Sequence, residues 1–85
     1  MTRKGSIREA VKRAIWTLRE GFQLCFLHRE RGEARLRCVP STLILGADSW
    51  AVHLADGSSI PYHRIYEIRD SSGRTLWRRG EGWIR

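Results

Sequence analysis

The chain has 85 residues, 41% hydrophobic and 29% charged, which predicts one globular domain (1–85) and excludes a disordered segment or an enzyme that needs a second lobe. Its apolar runs are shorter than the roughly 20 residues of a membrane span, and its basic start precedes an amphipathic stretch, so we expect a cytoplasmic protein without membrane contact. The net charge of +7, with 16 basic residues against nine acidic ones, favours a polyanionic partner such as RNA. A surface rich in arginine ion pairs is the alternative.

The first predicted element is a helix over residues 6–20. Ser6 followed by Glu9 forms a capping-box pattern at its start, and Gly21 ends it. Apolar residues recur at helical spacing along one side of this segment: Ile7, Val11, Ile15 and Leu18.

After Gly21 the apolar period changes to two, which predicts a hairpin of strands 22–29 and 34–39 around an Arg31-Gly32 turn. In that register Cys25 faces Cys38 and Leu27 faces Leu36 on an apolar face. The other face pairs Phe26 with Arg37 and His28 with Arg35. The two cysteines could form a disulfide, but two small buried thiols are the favoured interpretation.

The rest of the chain predicts further short strands and a tail. They are Leu43–Leu45, Trp50–Leu54, Ser59–Arg69 after an Asp56-Gly57 turn, Arg74–Arg79 after the turn of residues 70–73, and the tail 80–85. With residues 70–73 as the loop, Tyr66 faces Trp77. We therefore expect an α+β fold: one N-terminal helix packed on an antiparallel sheet (about 22–79) of about five short strands, a meander or a partly closed barrel.

The sequence has no pattern typical of a cofactor or metal site. The cysteines lack zinc-ligand spacing, and no glycine-rich loop lies between a strand and a helix. The carboxylates are scattered beside arginines, which indicates ion pairs rather than acid–base catalysis. We therefore predict no metal, no cofactor and no catalytic residue, and a binding protein rather than an enzyme.

Two histidines each precede an arginine, in His28-Arg29 and His63-Arg64. An imidazole that can gain a proton beside a permanent cation suits a phosphate group. Half-buried structural histidines are the alternative, and this is the interpretation we prefer for His53.

The large aromatic residues have two possible roles. On a basic surface they can stack on unpaired bases, but in so small a domain they are more often core residues. We therefore expect Trp16, Trp50 and Tyr62 in the core, and Trp83 in the tail packed back onto the domain.

The segment Ile60-Pro61-Tyr62-His63-Arg64-Ile65, followed by Glu67-Ile68 and Leu76-Trp77-Arg78-Arg79, resembles the RNA cyclic group end recognition domain, a family of small archaeal proteins. Ile15-Trp16 and His28-Arg29 are similar as well, so the resemblance extends from about Ser6 to Arg79. The turn of the first hairpin is shorter than we expect of the family. The resemblance implies binding of RNA termini, notably cyclic phosphates, in RNA processing or repair.

The leading hypothesis is a non-catalytic module for single-stranded RNA ends. His63 and Arg64 match the central family motif, and His28 and Arg29 are second candidates for the terminal phosphate. Arg35 and Arg37 would hold the RNA backbone. We expect the imidazoles of His28 and His63 to converge on one exposed cationic hollow. The alternatives are an RNA-end phosphoesterase that uses these two histidines as acid and base, and a basic protein-interaction module.

Overall fold

Helix α1 and eight short strands make up the described chain, residues 6–18 and 21–84 of a computed structural model. The elements are α1 (Ile7–Thr17), β1 (Phe22–Glu30), β2 (Glu33–Pro40), β3 (Ile44–Ala47), β4 (Ala51–Leu54), β5 (Ser59–Pro61), β6 (Ile65–Asp70), β7 (Thr75–Arg78) and β8 (Gly82–Trp83). Two turns of 3-10 helix, Ser41–Leu43 and Tyr62–Arg64, precede β3 and β6.

The strands form two antiparallel sheets. One has five strands in the order β2-β1-β6-β7-β8, and the other has three in the order β3-β4-β5. The predicted α+β class, with one N-terminal helix on antiparallel strands, is confirmed. The structure adds a second sheet because the chain leaves the first sheet after β2 and returns to it at β6.

Helix α1 begins as predicted and packs through small residues. The Ser6 hydroxyl accepts a hydrogen bond of 3.3 Å from the backbone N–H of Glu9. Ala10, Val11 and Ala14 face the core and are at most 1% exposed. Leu18 is the C-terminal cap, and the last two residues of the predicted range, 19 and 20, lie outside the described residues.

The β1–β2 hairpin has the predicted register, with Cys25 opposite Cys38 and Glu30 opposite Glu33. Arg31 and Gly32 both have positive φ (53° and 83°), the conformation of a two-residue turn whose twist matches that of the strands. The predicted apolar face is not the core face, because Leu27 and Leu36 are 41% and 39% exposed. The residues of β1 on the other face, Phe22, Leu24, Phe26 and His28, form what we call the core row of β1. Phe22 and Leu24 in this row are buried.

Cys25 and Cys38 are joined by a disulfide, so the favoured prediction of two free thiols is wrong. Directly opposite residues of an antiparallel pair bring their β-carbons close together, which suits such a bond. Cys25 is fully buried, whereas Cys38 lies on the exposed strand β2. The bond therefore ties the outer strand of the hairpin to a strand that lies within the sheet.

The predicted strand 59–69 is two strands separated by a turn. Pro61 ends β5, and Tyr62–Arg64 form one turn of 3-10 helix before β6 begins at Ile65. Proline cannot donate to a ladder, which favours a strand end at this position. The turn carries the chain from the three-strand sheet to the five-strand sheet.

The predicted pairing of Tyr66 with Trp77 is wrong, because Trp77 faces Ile68. The loop before β7 is 71–74, and the Asp70 carboxylate accepts hydrogen bonds from the backbone N–H groups of Ser72 and Arg74. Trp77 is 1% exposed and belongs to the core. Part of the predicted tail forms β8, in which Trp83 pairs with Trp77.

The core lies between the two sheets and under α1. Its members are Ala10, Val11, Ala14, Phe22, Leu24, Val52, Leu54, Ile60, Tyr62, Ile65, Ile68 and Trp77. Tyr62 is in the core as predicted, whereas Trp16 and Trp50 are not, since their exposed fractions are 77% and 82%.

Candidate nucleic-acid interface

A cleft of about 380 Å³ lies between the β1–β2 hairpin and the β4–β5 turn, and we call it the cationic cleft. Its size is within the range of small-ligand sites, about 300–1,000 Å³. Its apolar walls include Phe26, Val39, Leu54 and Ile60. Three nitrogen-bearing side chains, those of His28, Arg37 and Arg64, line it as well.

Strand alternation brings two of these three groups to the cleft. Phe26 faces Arg37 across the hairpin, and His28 faces Arg35. Cross-strand partners lie on the same side of a sheet, so His28 and Arg37 share the side of Phe26. The hairpin thus presents an imidazole and a guanidinium beside an aromatic ring.

Arg64 reaches the cleft from the Tyr62–Arg64 turn, and Arg79 holds that turn in place. The Arg79 guanidinium donates to the carbonyl oxygen of Tyr62 at 2.7 Å and to that of Ile65 at 2.7 and 2.9 Å. A planar guanidinium can satisfy two carbonyls at once. The Trp77-Arg78-Arg79 segment therefore supports the turn that carries His63 and Arg64, a role for Arg79 that the sequence analysis missed.

The other predicted site residues lie outside the cleft lining. His63 is exposed on the same turn as Arg64, so the two imidazoles do not share the cationic cleft. Arg29 is exposed on β1, opposite Ala34. Arg35 is also exposed and forms an ion pair of 3.3 Å with Glu33.

One carboxylate, that of Asp56, lines the cleft as well. It accepts hydrogen bonds from the Ser58 hydroxyl at 2.6 Å and from the Ser58 backbone N–H at 2.8 Å, which lower the pKa of the Asp56 carboxyl. The cleft thus combines two guanidinium groups and an imidazole with one ionised acceptor. Cations suit phosphate oxygens, and an ionised carboxylate suits the hydroxyl groups of a sugar.

A second polar cluster, for which the sequence shows no recognisable pattern, crosses the three-strand sheet. The His53 ring contacts the Asp48 carboxylate at 2.6 Å through Nε2 and the Ser59 hydroxyl at 2.8 Å through Nδ1. The hydrogen bond with His53, with those from the backbone N–H groups of Trp50 and Ala51, lowers the pKa of Asp48 to about 2. His53 on β4 and Ser59 on β5 are cross-strand partners, so the cluster connects the β3–β4 turn with β4 and β5.

An ion-pair cluster occupies two further arginines. The carboxylate of the buried Glu67 accepts hydrogen bonds from Arg69 at 2.7 Å, from Arg78 at 3.1 Å and from Thr75 at 3.2 Å. Burial acts to raise the pKa of Glu67, but these hydrogen bonds outweigh it and the pKa is lowered. Arg69 and Arg78 are therefore engaged within the protein rather than offered to a ligand.

Metal ligands and membrane spans were the two remaining possibilities for the described part of the chain. Among residues 6–18 and 21–84, no group of three or more His, Cys, Asp or Glu side chains is placed to hold a metal ion. No helix in these ranges has the length and hydropathy of a membrane span.

Comparison with known families adds to this geometry. The model of the MJ1316 RNA cyclic group end recognition domain matches residues 5–79, which include all three segments that meet at the cationic cleft. The chain belongs to this family. The predicted resemblance is confirmed, and the match includes both the Pro61–Arg64 segment and the Trp77-Arg78-Arg79 segment that holds it.

Two archaeal relatives of this RNA cyclic group end recognition domain are each named UPF0248 protein. That of Aeropyrum pernix is 44% identical over 91 residues, covering 96% of this chain and 86% of its own length. That of Metallosphaera sedula is 30% identical over 76 residues, covering 87% and 92% of the two chains. No solved structure matches the chain significantly.

Proposed function

We propose that this protein is a non-catalytic RNA-binding module that holds an RNA terminus bearing a cyclic phosphate in the cationic cleft. The observation that carries the proposal is the meeting of His28, Arg37 and Arg64, from three separate segments, around one small cleft. The family name, which refers to RNA cyclic group ends, supports RNA as the partner. A cytoplasmic location would accord with a role in RNA processing or repair.

The chemistry of the cleft suits a terminal nucleotide. Arg37 and Arg64 supply charge-assisted donors for phosphate oxygens, and His28 adds a third donor when it is protonated. Phe26 and the aliphatic walls suit the flat face of a base or a sugar ring. Asp56 supplies an acceptor for an amino group at the edge of the base or for the 2′-hydroxyl of the preceding nucleotide, because a 2′,3′-cyclic phosphate leaves no free hydroxyl on the terminal ribose.

The geometry supports binding over the two-histidine phosphoesterase. An acid and a base acting on one phosphate must both lie within hydrogen-bond reach of it. His28 lines the cleft, whereas His63 is exposed on the neighbouring turn. The hypothesis of a basic protein-interaction module gains no specific support from a cleft of this small size.

The test is a panel of otherwise identical RNAs that end in a 2′,3′-cyclic phosphate, a 3′-phosphate or a free hydroxyl. Their affinities for the wild type and for Arg37→Ala, Arg64→Ala, His28→Ala and His63→Ala are compared at two salt concentrations. A hydrogen bond to a charged group contributes about 1.5–3 kcal/mol, so each arginine change should weaken cyclic-phosphate binding about 10- to 150-fold. The loss for the hydroxyl end should be smaller, and His63→Ala should have the smallest effect.

Arg74→Ala is the matched control, because Arg74 is an exposed arginine in the loop before β7 and the change removes the same single positive charge. Equal losses for cyclic-phosphate and hydroxyl ends in Arg37→Ala and Arg64→Ala would disprove end recognition and leave only charge. Slow cleavage of the cyclic phosphate that either histidine change abolishes would favour the phosphoesterase instead.

A further inference from the structure

A second concave surface lies at the other end of the core row of β1, and we call it the Trp16 groove. It encloses about 490 Å³ between the end of α1 and strand β3. Ile15 and Trp16 form one wall, Ile44 and Leu45 the other, and Phe22 lies in the lining. Trp16 and Leu45 are 77% and 74% exposed, so large apolar area faces solvent here.

The exposure of Trp16 is unusual for its residue type. Tryptophan is highly buried on average in folded proteins, and a large exposed apolar patch often marks a binding surface. The ring also stands beside positive charge. Arg8, Lys12 and Trp16 follow one another at intervals of four residues, so they lie along one flank of α1. Arg8 and Lys12 are both exposed.

A buried hydroxyl in the groove gives an independent sign of a ligand. Ser41 lines the groove and is only 8% exposed, and its hydroxyl has no hydrogen-bond partner among the residues that the structure describes. Buried polar atoms are nearly always paired, so an unpaired one marks a place where a water molecule or a polar group of a ligand can bind. A nucleobase carries donors and acceptors at its edge and an aromatic face.

We infer that the Trp16 groove binds an unpaired base of the same RNA whose terminus occupies the cationic cleft, with the base stacked on Trp16. This inference rests on the proposed function. The positive flank of α1 is what favours RNA as the occupant, because Arg8 and Lys12 can neutralise the phosphates beside the stacked base.

The two sites lie within reach of one strand. Phe22 lines the groove and His28 lines the cleft, and six residues of extended chain separate them, about 20 Å at roughly 3.3 Å per residue. The whole described fold measures 35 × 28 × 24 Å. A few nucleotides of extended RNA therefore connect the sites, and a dinucleotide held in the cleft would not reach the groove.

The experiment compares Trp16→Ala and Trp16→Phe with the wild type on two RNAs that share a cyclic-phosphate end, a dinucleotide and a strand of about 12 nucleotides. Loss of one stacked base should weaken binding of the longer strand by about 5- to 150-fold and leave dinucleotide binding unchanged. Trp16→Phe keeps an aromatic face and should retain most of the affinity.

A longer strand with abasic sites completes the test. This strand keeps the bases of its two terminal nucleotides, so that contacts in the cationic cleft are unchanged. The wild type should bind it as weakly as Trp16→Ala binds the normal strand, and Trp16→Ala should bind both strands equally. Trp50→Ala is the matched control, because Trp50 is 82% exposed but lies outside the groove. It should leave the affinity for both strands unchanged.

Failure of this inference is separable from failure of the proposed function. End recognition fails when cyclic-phosphate and hydroxyl ends bind alike, whatever Trp16 does. The base-stacking inference is overturned by an unchanged affinity of Trp16→Ala for the longer strand, or by equal losses on normal and abasic RNA. It is equally overturned by a change from dimer to monomer in Trp16→Ala without an effect on RNA, which would make the groove a contact between two copies.

Discussion

The cationic cleft and the Trp16 groove lie at opposite ends of the same row of β1 but are built differently. The cleft takes its charged groups from the hairpin and from the Tyr62–Arg64 turn, and each of these is held by specific bonds, the disulfide and the Arg79 hydrogen bonds. The groove is lined mainly by apolar side chains of α1 and β3. In this protein the donors for a charged end are therefore held in fixed positions, whereas the proposed site for a flat base consists of an exposed ring beside open space.

Of the changes that distinguish the cleft from the groove, loss of the disulfide should have the largest effect on stability and binding, because it loosens one wall of the cleft. The bond joins residues 13 apart in sequence, and closing a loop of that size contributes about 3 kcal/mol to the free energy of unfolding. We expect Cys25→Ala/Cys38→Ala to lose about that amount in urea unfolding and to bind a cyclic-phosphate dinucleotide more weakly. The Trp16 contribution to longer RNA should persist.

The control for this prediction is reductant. It should lower the urea midpoint of the wild type towards that of the double variant and leave the variant unchanged. A wild-type midpoint that reductant does not move would show that the bond adds no stability.

Loss of the Arg79 side chain should come next, since its guanidinium holds the turn that carries Arg64. Arg79→Ala removes hydrogen bonds to two carbonyls and should lower the free energy of unfolding by about 2 kcal/mol. It should also weaken binding of the cyclic-phosphate end. Arg79→Lys keeps the charge without the planar fork, so its stability and its affinity should lie between those of the wild type and Arg79→Ala.

Arg74→Ala serves again as the control for charge. Thermal or urea unfolding and dinucleotide affinity are measured for all three variants. If Arg79→Ala and Arg74→Ala behave alike, Arg79 does not position the turn.

The salt dependence of RNA affinity should also distinguish the two sites, with a smaller effect than the changes above. In the plot of log affinity against log salt, Arg37→Ala should reduce the slope by about 0.7, the value for one phosphate contact on a single strand. Trp16→Ala should lower the affinity for longer RNA at every salt concentration and keep the wild-type slope. Fluorescence anisotropy across a salt series measures both, and a reduced slope in Trp16→Ala would contradict the assignment of stacking to that ring.

Acid should lower the stability of both sites by a similar, small amount, because it protonates Asp48 in the Asp48–His53–Ser59 cluster. The three-strand sheet supplies β3 to the groove and β5 to the cleft. The pKa of Asp48 is about 2 in the folded protein against an ordinary 3.8, so its stabilising effect is complete above pH 3.8 and is lost as the pH falls through 2. The stability difference between the wild type and Asp48→Asn should shrink over that range, and a constant difference would contradict it.

The hairpin shows what the sequence could predict. The alternation of residues 22–29 and the two-residue turn fixed one register, which correctly paired Phe26 with Arg37. That register alone places His28 and Arg37 on the same side of the hairpin. Which face was the core could not be predicted, because it depends on where α1 and the three-strand sheet pack.

The segment 59–69 shows where prediction failed. Buried residues fall at 60 and 62 and then at 65, so the alternation changes phase after Tyr62. That shift was the signal for the turn that brings Arg64 to the cleft, and one continuous strand was the wrong interpretation. The contact of Glu67 with Arg78 and those of Arg79 with Ile65 and Tyr62 join residues 11, 14 and 17 apart in sequence and had no local signal.

Trp16 could have been assigned to the surface. At about 100° per residue it lies roughly 200° from Ala14, on the far side of α1 from the core. The position of Trp16 on the helix was therefore a better guide to its exposure than its residue type.

The alanines on the inner side of α1 have a consequence for the groove. Ala10 and Ala14 present single methyl groups to the strands beneath, so the helix axis lies close to the sheets. A bulkier side chain at either position would lift the whole helix as a rigid rod and carry Trp16 away from Leu45. The width of the Trp16 groove thus depends on Ala10 and Ala14, two of the smallest residues in the chain, which lie outside the groove lining and would not touch the stacked base.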